Sequence, residues 1–158
     1  LKVYSLHLGW QELKTLPIAI SKLKNLQVLY LFDNKLTLLP KEIGSLKSLQ
    51  ILHLESNKLV SLPKEMGSLK NLQKLQLMLN RLTKLPEEIG SLKSLQELSL
   101  AYNKLIKIPR EIGSLENLNR LDLQGNQLTH IPKELGSLKN LLYLSLRKNK
   151  PVTYSSLE

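Results

Sequence analysis

The stretch from Leu95 to Asn117 reads LQELSLAYNKLIKIPREIGSLEN, and the chain repeats this 23-residue pattern without insertion or deletion. The pattern generalises to LxxLxLxxNxLxxLPxEIGSLxx. Six units are complete between residues 3 and 140, and a partial seventh unit occupies 141–158. A fixed period of this size is typical of a solenoid, in which each unit buries its apolar face against its neighbours. The units begin at Val3, Leu26, Leu49, Leu72, Leu95, Leu118 and Leu141.

Within one unit the spacing of the leucines predicts a short strand followed by a compact return segment. The alternation in LxxLxL points Leu95, Leu98 and Leu100 to one side of a strand and Glu97 to the other. Pro109 fixes its own backbone and prevents an earlier helix, and too few residues remain for a long helix. We therefore expect an α/β fold: a right-handed solenoid in the form of an open horseshoe. Its parallel β-sheet should line the concave face, and short 3₁₀ or helical turns should form the convex arm.

A column of asparagines follows the predicted strands, one per repeat, with Gln11 in its place in the first unit. An amide side chain both donates and accepts hydrogen bonds, so a stacked column can satisfy backbone groups buried between units. The sequence therefore predicts an interior ladder of amide side chains. The column consists of Asn34, Asn57, Asn80, Asn103, Asn126 and Asn149.

The repeat runs through nearly the whole chain, so residues 1–158 are predicted to form one domain. No apolar run approaches the roughly 18 residues that a membrane-spanning helix needs. The sequence has no cysteine, which excludes disulfides and thiolate chemistry. Leu1 already lies inside the first repeat and is not a methionine, so we expect an upstream segment, with a secretory signal peptide as one candidate. Leu157–Glu158 is consistent with a cloning remnant.

The LxxLxLxxNxL core resembles that of leucine-rich repeat proteins, and the resemblance extends from Val3 to about Lys150. The LPxEIGxLxxL return segment is most similar to bacterial leucine-rich repeat proteins, especially those of spirochaetes. The resemblance implies a binding scaffold, and bacterial members are often exported and suspected of binding host proteins. It therefore favours a secreted or cell-surface location. The chain departs from the pattern at Gln11, at residues 18–21 and at Pro151, so neither end is predicted to be a dedicated cap.

The net charge of +10 suggests nucleic acid or an anionic membrane as a partner. On the predicted concave positions, however, four basic residues face four acidic ones. The excess comes from the repeated framework, where duplication copies one surface lysine into a stripe. We interpret these columns as a solvated framework and expect no specific nucleic acid, with binding of an anionic surface as the alternative. The two basic columns are Lys35, Lys58, Arg81, Lys104 and Lys150, and Lys24, Lys47, Lys70, Lys93 and Lys139.

The positions that vary between repeats predict a partner-binding surface. The outward strand positions and the two positions after each strand hold five of the seven aromatic residues. The framework does not require an exposed Trp10, Tyr30 or Phe32, and large exposed apolar groups together with Trp, Tyr and Arg anchor interfaces. The predicted partner-binding residues are Trp10, Val28, Tyr30, Phe32, Ile51, His53, Met78, Arg120, Asp122, Tyr143 and Arg147.

This surface is apolar in repeats one to four and polar in repeats four to seven. Lys74, Glu97 and Arg120 should form an alternating ladder that pairs internally, because neighbouring parallel strands lie about 4.8 Å apart. We predict a protein–protein interaction scaffold that binds a protein or peptide through its concave face. The alternative is a structural module that forms a homodimer through the apolar half or through an uncapped end.

The residues that could form a catalytic or metal site are mostly too far apart. His7 and His53 are two strands apart, roughly 9–10 Å at the backbone, which is long for two ligands of one metal ion. His53, Glu55 and Ser56 lie near one another, but nothing supplies a nucleophile turn or an oxyanion hole. We therefore predict no enzymatic activity, no metal site and no cofactor.

Overall fold

Seven strands of three residues each, one from every repeat, form a parallel β-sheet. The structure is a computed structural model that describes residues 2–154, so the expectations about Leu1 and Leu157–Glu158 lie outside the described residues. Each strand pairs with its counterpart 23 residues later, with Leu6 beside Leu29. The sheet stays open, which confirms the predicted solenoid. The strands are β1 (Ser5–His7), β2 (Val28–Tyr30), β3 (Ile51–His53), β4 (Lys74–Gln76), β5 (Glu97–Ser99), β6 (Arg120–Asp122) and β8 (Tyr143–Ser145).

A five-residue 3₁₀ helix occupies the return segment of each complete repeat. Pro86 precedes one of these helices with φ −68° and ψ 148°, and the Leu92 N–H closes it by donating to the Ile89 carbonyl at 3.2 Å. The proline ring thus sets the start, as the sequence predicted, and the arm is 3₁₀ throughout. The helices are η1 (Ile18–Lys22), η2 (Lys41–Ser45), η3 (Lys64–Ser68), η4 (Glu87–Ser91), η5 (Arg110–Ser114) and η6 (Lys133–Ser137).

The leucines of each unit form one continuous core between the sheet and the arm. Core positions of the first and last units are only partly covered. Leu144, for example, is 39% exposed, although its counterpart Leu121 is fully buried. A leucine in the last unit therefore lacks the neighbour that buries it elsewhere. The buried residues of the second unit are Leu26, Leu29, Leu31, Leu36, Leu39, Ile43 and Leu46.

The asparagine column forms the predicted ladder. Asn80 Nδ2 donates to the carbonyls of Leu54, one repeat earlier, at 2.9 Å and of Leu77 at 3.1 Å. Its Oδ1 accepts the Leu59 N–H at 3.0 Å. One side chain thus joins two successive turns whose backbone groups have no access to water. Gln11 does not substitute for an asparagine: it is exposed, and its amide donates to the carbonyl of Gly9.

Close approach of neighbouring 3₁₀ helices explains the glycine on the arm. A Cβ on Gly90 would lie 2.4 Å from the backbone carbonyl oxygen of Glu111 in the next repeat. Gly136 occupies the same position in the sixth unit, and a Cβ there would meet no atom of residues 2–154 within 4 Å. Packing between repeats, not an unusual φ, therefore requires glycine at Gly90.

Lysines of the column from Lys24 to Lys139 form hydrogen bonds along the arm. The exposed Lys70 donates from Nζ to the Ser91 carbonyl at 3.0 Å, and Lys93 does the same to Ser114 at 2.8 Å. These carbonyls lie at the ends of the next 3₁₀ helices, where backbone acceptors lack intrahelical partners. The interpretation of this column as solvated framework was therefore incomplete, because the lysines also link successive repeats.

A second, two-stranded sheet was not predicted. The strands β7 (His130–Ile131) and β9 (Thr153–Tyr154) pair in parallel on the return side of the last units. The Thr153 N–H donates to the Thr129 carbonyl at 2.9 Å. Thr153 and Tyr154 thus pair with the sixth unit although the sequence after Pro151 has lost the repeat pattern.

Candidate functional site

Stacked rings cover the solvent-facing side of the first three strands. The third residues of β1, β2 and β3 are His7, Tyr30 and His53, and the parallel register places them side by side. The His7 and Tyr30 ring centroids are 4.2 Å apart with planes at 22°, and those of Tyr30 and His53 are 5.1 Å apart with planes at 24°. The strand spacing of about 4.8 Å is close to an aromatic stacking distance, so the sheet itself imposes this column.

Two further rings extend the stack toward the edge of the sheet. Phe32 meets Tyr30 at 85° with centroids 6.2 Å apart, and Trp10 meets Phe32 at 89° with centroids 4.5 Å apart. The Phe32 ring lies over Gly9, where a Cβ would approach it to 2.8 Å. The absence of a Cβ at Gly9 therefore leaves the space that the Phe32 ring occupies. We call these five rings, of His7, Trp10, Tyr30, Phe32 and His53, the aromatic patch.

A carboxylate borders the aromatic patch. Glu55 Oε1 lies 2.7 Å from His53 Nδ1, and both side chains are about one-fifth to one-quarter exposed. The other oxygen, Oε2, is buried without a hydrogen-bond partner in the described part of the chain. The Glu55 contact orients the imidazole of His53 against Tyr30, so the stack and the carboxylate form one unit.

The second half of the face carries a different set of contacts. Lys74 Nζ pairs with Glu97 Oε2 at 3.1 Å, which confirms the first step of the predicted ladder. Arg120 does not continue it: its guanidinium lies 3.8 Å from the centroid of the Tyr143 ring. The predicted ladder was therefore wrong at its third member, because a planar guanidinium also gains from stacking on an aromatic face.

Tyr102 is a second aromatic centre, and it was not among the predicted residues. Its hydroxyl lies 2.6 Å from Gln124 Nε2 and 3.3 Å from Lys148 Nζ. Its ring lies over Gly125, where a Cβ would approach it to 2.6 Å. The same pairing of a ring with a glycine thus occurs at both ends of the face. The sequence signal was available, since Tyr102 is one of the aromatic residues in the variable columns.

The column at the edge of the face has a left-handed backbone in every repeat, with φ between 52° and 68°. Side chains other than glycine are disfavoured there, by roughly 1–2 kcal/mol. The chain nevertheless keeps large, exposed side chains in this column, and Trp10 is 71% exposed. Because every repeat has this backbone, the left-handed turn belongs to the repeated framework, whichever side chain occupies the position. The column consists of Trp10, Asp33, Ser56, Leu79, Tyr102, Gly125 and Lys148.

The remaining predicted residues lie on the same face but join neither cluster of rings. Val28, Ile51 and Met78 are half-buried. Asp122 turns toward its own chain, accepting the Gln124 N–H at 3.1 Å, and Arg147 is exposed. The structure thus groups Trp10, Tyr30, Phe32 and His53 in one patch and Arg120 with Tyr143 in another.

Neither a membrane span nor a metal cluster was found in residues 2–154. No helix in this range is long and apolar enough to cross a membrane. In the same range no three His, Cys, Asp or Glu side chains are grouped so that they could hold a metal ion. His7 and His53 are separated by the Tyr30 ring that stacks between them.

Comparison with known proteins agrees with this geometry. The family description "Leucine-rich repeat region" matches residues 19–105, which is more than half of the chain, and "Leucine Rich Repeat" matches residues 117–138. The chain belongs to the leucine-rich repeat family. No curated protein matches it.

Several solved leucine-rich repeat structures are similar over most of this chain. A leucine-rich repeat protein of Leptospira interrogans is 50% identical with a TM-score of 0.86, over 94% of this chain and 44% of that one. The plant peptide hormone receptor RGFR1, solved in complex with RGF2, is 35% identical with a TM-score of 0.79, over 86% and 23%. The ectodomain of the Arabidopsis thaliana receptor kinase GASSHO1/SCHENGEN3, in complex with Casparian strip integrity factor 2, is 40% identical with a TM-score of 0.83, over 92% and 18%. The chain spans less than half the length of each of these proteins.

Proposed function

We propose that this leucine-rich repeat chain binds a protein or peptide through its concave face, with the aromatic patch as the principal contact. One observation carries the proposal: five rings are connected by four ring contacts on the solvent side of the sheet, where the leucine core does not need them. Rings that are held by their neighbours lose little conformational freedom on binding, so they make effective anchors.

The similar structures support the class of partner. The plant peptide hormone receptor RGFR1 was solved in complex with RGF2, and the GASSHO1/SCHENGEN3 ectodomain in complex with Casparian strip integrity factor 2. The Leptospira protein supports a bacterial, spirochaete-like origin for these repeats. A secreted or cell-surface protein that contacts a host protein fits these likenesses. The proposal for this chain rests on its own face, since the similar proteins are more than twice its length.

The test is partner capture by immobilised protein from host extracellular fluid, followed by binding of the purified partner. Tyr30→Ala combined with Phe32→Ala should abolish capture, because large central anchors typically contribute about 2 kcal/mol or more each. A matched control is Leu38→Ala combined with Ile106→Ala. That control also removes two exposed apolar side chains, but outside the face. Equal retention of a partner by both variants would show that the aromatic patch is not the contact.

Self-association is the second candidate, and one observation favours it. Leu142 is 88% exposed beside the partly exposed Leu144, so apolar surface is available in the last unit. Light scattering over a wide concentration range separates the two functions. A mass that stays monomeric at every concentration removes the homodimer, and a dimer that Leu142→Gln dissolves would support it.

A further inference from the structure

We infer that a recess beside Trp10 receives an arginine side chain of the partner, an inference that rests on the proposed function. The recess has a volume of about 340 Å³ and lies at the edge of the face, next to the aromatic patch. Its walls combine one indole, two carboxylates and one ammonium group. They are formed by Trp10, Glu12, Asp33, Asn34, Lys35 and Ser56.

The indole of Trp10 supplies a stacking surface. It contacts Phe32 edge-on, and at 71% exposure most of the ring remains open to a ligand. Among aromatic side chains an indole is the strongest site for a cation. The left-handed backbone at Trp10, with φ 55°, holds the side chain at the rim of the face.

Asp33 supplies a free carboxylate at the next position of the same column. Its N–H bonds to the Glu55 carbonyl at 2.9 Å, which fixes the backbone, and the residue is exposed. Within residues 2–154 its carboxylate forms no ion pair or hydrogen bond. An incoming donor can therefore bind this carboxylate without displacing a group that is already there.

Glu12 is an acidic residue at a repeat position that is basic or neutral in every later repeat. It pairs with Lys35, the equivalent residue of the second repeat, at 2.9 Å. That hydrogen bond and the charge of Lys35 lower the pKa of Glu12, so its carboxylate is ionised at neutral pH. Two carboxylates against one ammonium leave the recess negative in a chain of net charge +10. The equivalents of Glu12 in later repeats are Lys35, Lys58, Arg81, Lys104, Gln127 and Lys150.

These walls suit a guanidinium better than an ammonium. A guanidinium is planar, stacks on an indole and donates in a fork that matches a carboxylate. Trp10 and Asp33 offer the two surfaces that such a group uses together. A partner segment could thus pack its apolar part on Tyr30 and Phe32 and extend one arginine over the edge.

The experiment uses Trp10 as the reporter, because it is the only tryptophan in the chain and gives a single indole N–H signal in an NMR spectrum. N-acetyl-arginine-N-methylamide is titrated into the protein, with the citrulline analogue as a neutral control of the same length. We expect the arginine probe to shift the indole signal saturably and the citrulline probe to leave it nearly unchanged. Equal shifts from both probes, or no shift from either, would overturn the inference.

Variants assign the effect to the recess. Asp33→Asn should weaken binding of the arginine probe about threefold or more, since one charge-assisted contact is lost. Glu87→Gln removes an exposed carboxylate on the arm and should leave the titration unchanged. Lys35→Met should strengthen binding, because Glu12 is freed while the apolar stem of the side chain is kept. Weaker binding in Lys35→Met, or no loss in Asp33→Asn, would contradict the assignment.

The probe titration also separates this inference from the proposed function. It needs no partner, and it is made on the chain with Tyr30 and Phe32 unchanged. If the Tyr30 and Phe32 variant keeps its partner, the proposed function fails while the recess can still bind the probe. If the arginine and citrulline probes behave alike, the inference fails while the aromatic patch keeps its proposed role.

Discussion

The convex arm and the concave face are built by the same 23-residue unit, but the arm barely changes along the chain while the face changes at every step. On the arm, each 3₁₀ helix lies against the next, so Gly90 meets the backbone of the neighbouring repeat. On the face, Tyr30 in one repeat gives way to His53 and Gln76 in the following ones. Contact with the backbone of the next repeat thus constrains the arm. On the face, neighbouring repeats meet through side chains, as Tyr30 and His53 do, and these can change from one repeat to the next. If this is correct, changes on the arm should cost stability, and changes on the face should cost binding.

The largest expected effect is on the arm. Gly90→Ala should lower the free energy of unfolding by about 3 kcal/mol or more, because the new methyl would overlap the Glu111 carbonyl and force two repeats apart. In Gly136→Ala the new methyl would have no atom of residues 2–154 within 4 Å, so stability should change by less than about 0.5 kcal/mol. Denaturant unfolding followed by circular dichroism measures both, and similar losses would refute the packing explanation.

The asparagine ladder between arm and face should give the next largest loss. Asn80→Ala removes the partners of buried backbone groups in two repeats and should cost about 1–3 kcal/mol. Asn149 makes the equivalent bonds to Leu128 and Leu123 but is only half-buried, so its change to alanine should cost less, because water can replace the amide. Urea unfolding measures both variants. Equal losses of unfolding free energy would mean that burial does not determine how much each asparagine contributes to stability.

A smaller stability change is expected on the face. Tyr30→Ala combined with Phe32→Ala loses ring contacts but no core leucine, so it should cost about 1 kcal/mol. Thermal unfolding measures this loss, and the far-UV circular dichroism should remain that of the parent. Unfolding of this variant at room temperature would place the two rings in the core and contradict the division between arm and face.

The smallest expected effects are changes in carboxyl pKa at two surface ion pairs. The pKa of Glu12, at the edge of the face, is lowered by its hydrogen bond to Lys35, and the pKa of Glu111, on the arm, is lowered by Arg110. Lys35→Met should therefore raise the pKa of Glu12 alone, and Arg110→Met that of Glu111 alone. Carboxyl carbon NMR titration of both residues measures this, and a rise at the distant site would show that the pairs are not independent.

The sequence predicted the framework correctly because the framework repeats. One period supplied the register of seven strands, the leucine core and the amide ladder, and it placed His7 and His53 on either side of Tyr30. It did not predict that Arg120 would stack on the Tyr143 ring instead of pairing with Glu97. Nor did it predict that Lys93 Nζ would donate to the Ser114 carbonyl at the end of the next 3₁₀ helix. Those choices depend on side-chain directions that spacing alone does not contain.

Spacing determined which residues share a column, because a fixed period in a parallel stack brings equivalent positions together. Only the tertiary structure decided what each column does. It showed the left-handed backbone along the edge column from Trp10 to Lys148, the ring of Phe32 resting over Gly9, and the return of the last segment to pair with His130–Ile131. These features depend on contacts between units, where differences of a few ångströms decide which atoms meet. The sequence of a single repeat does not contain those distances.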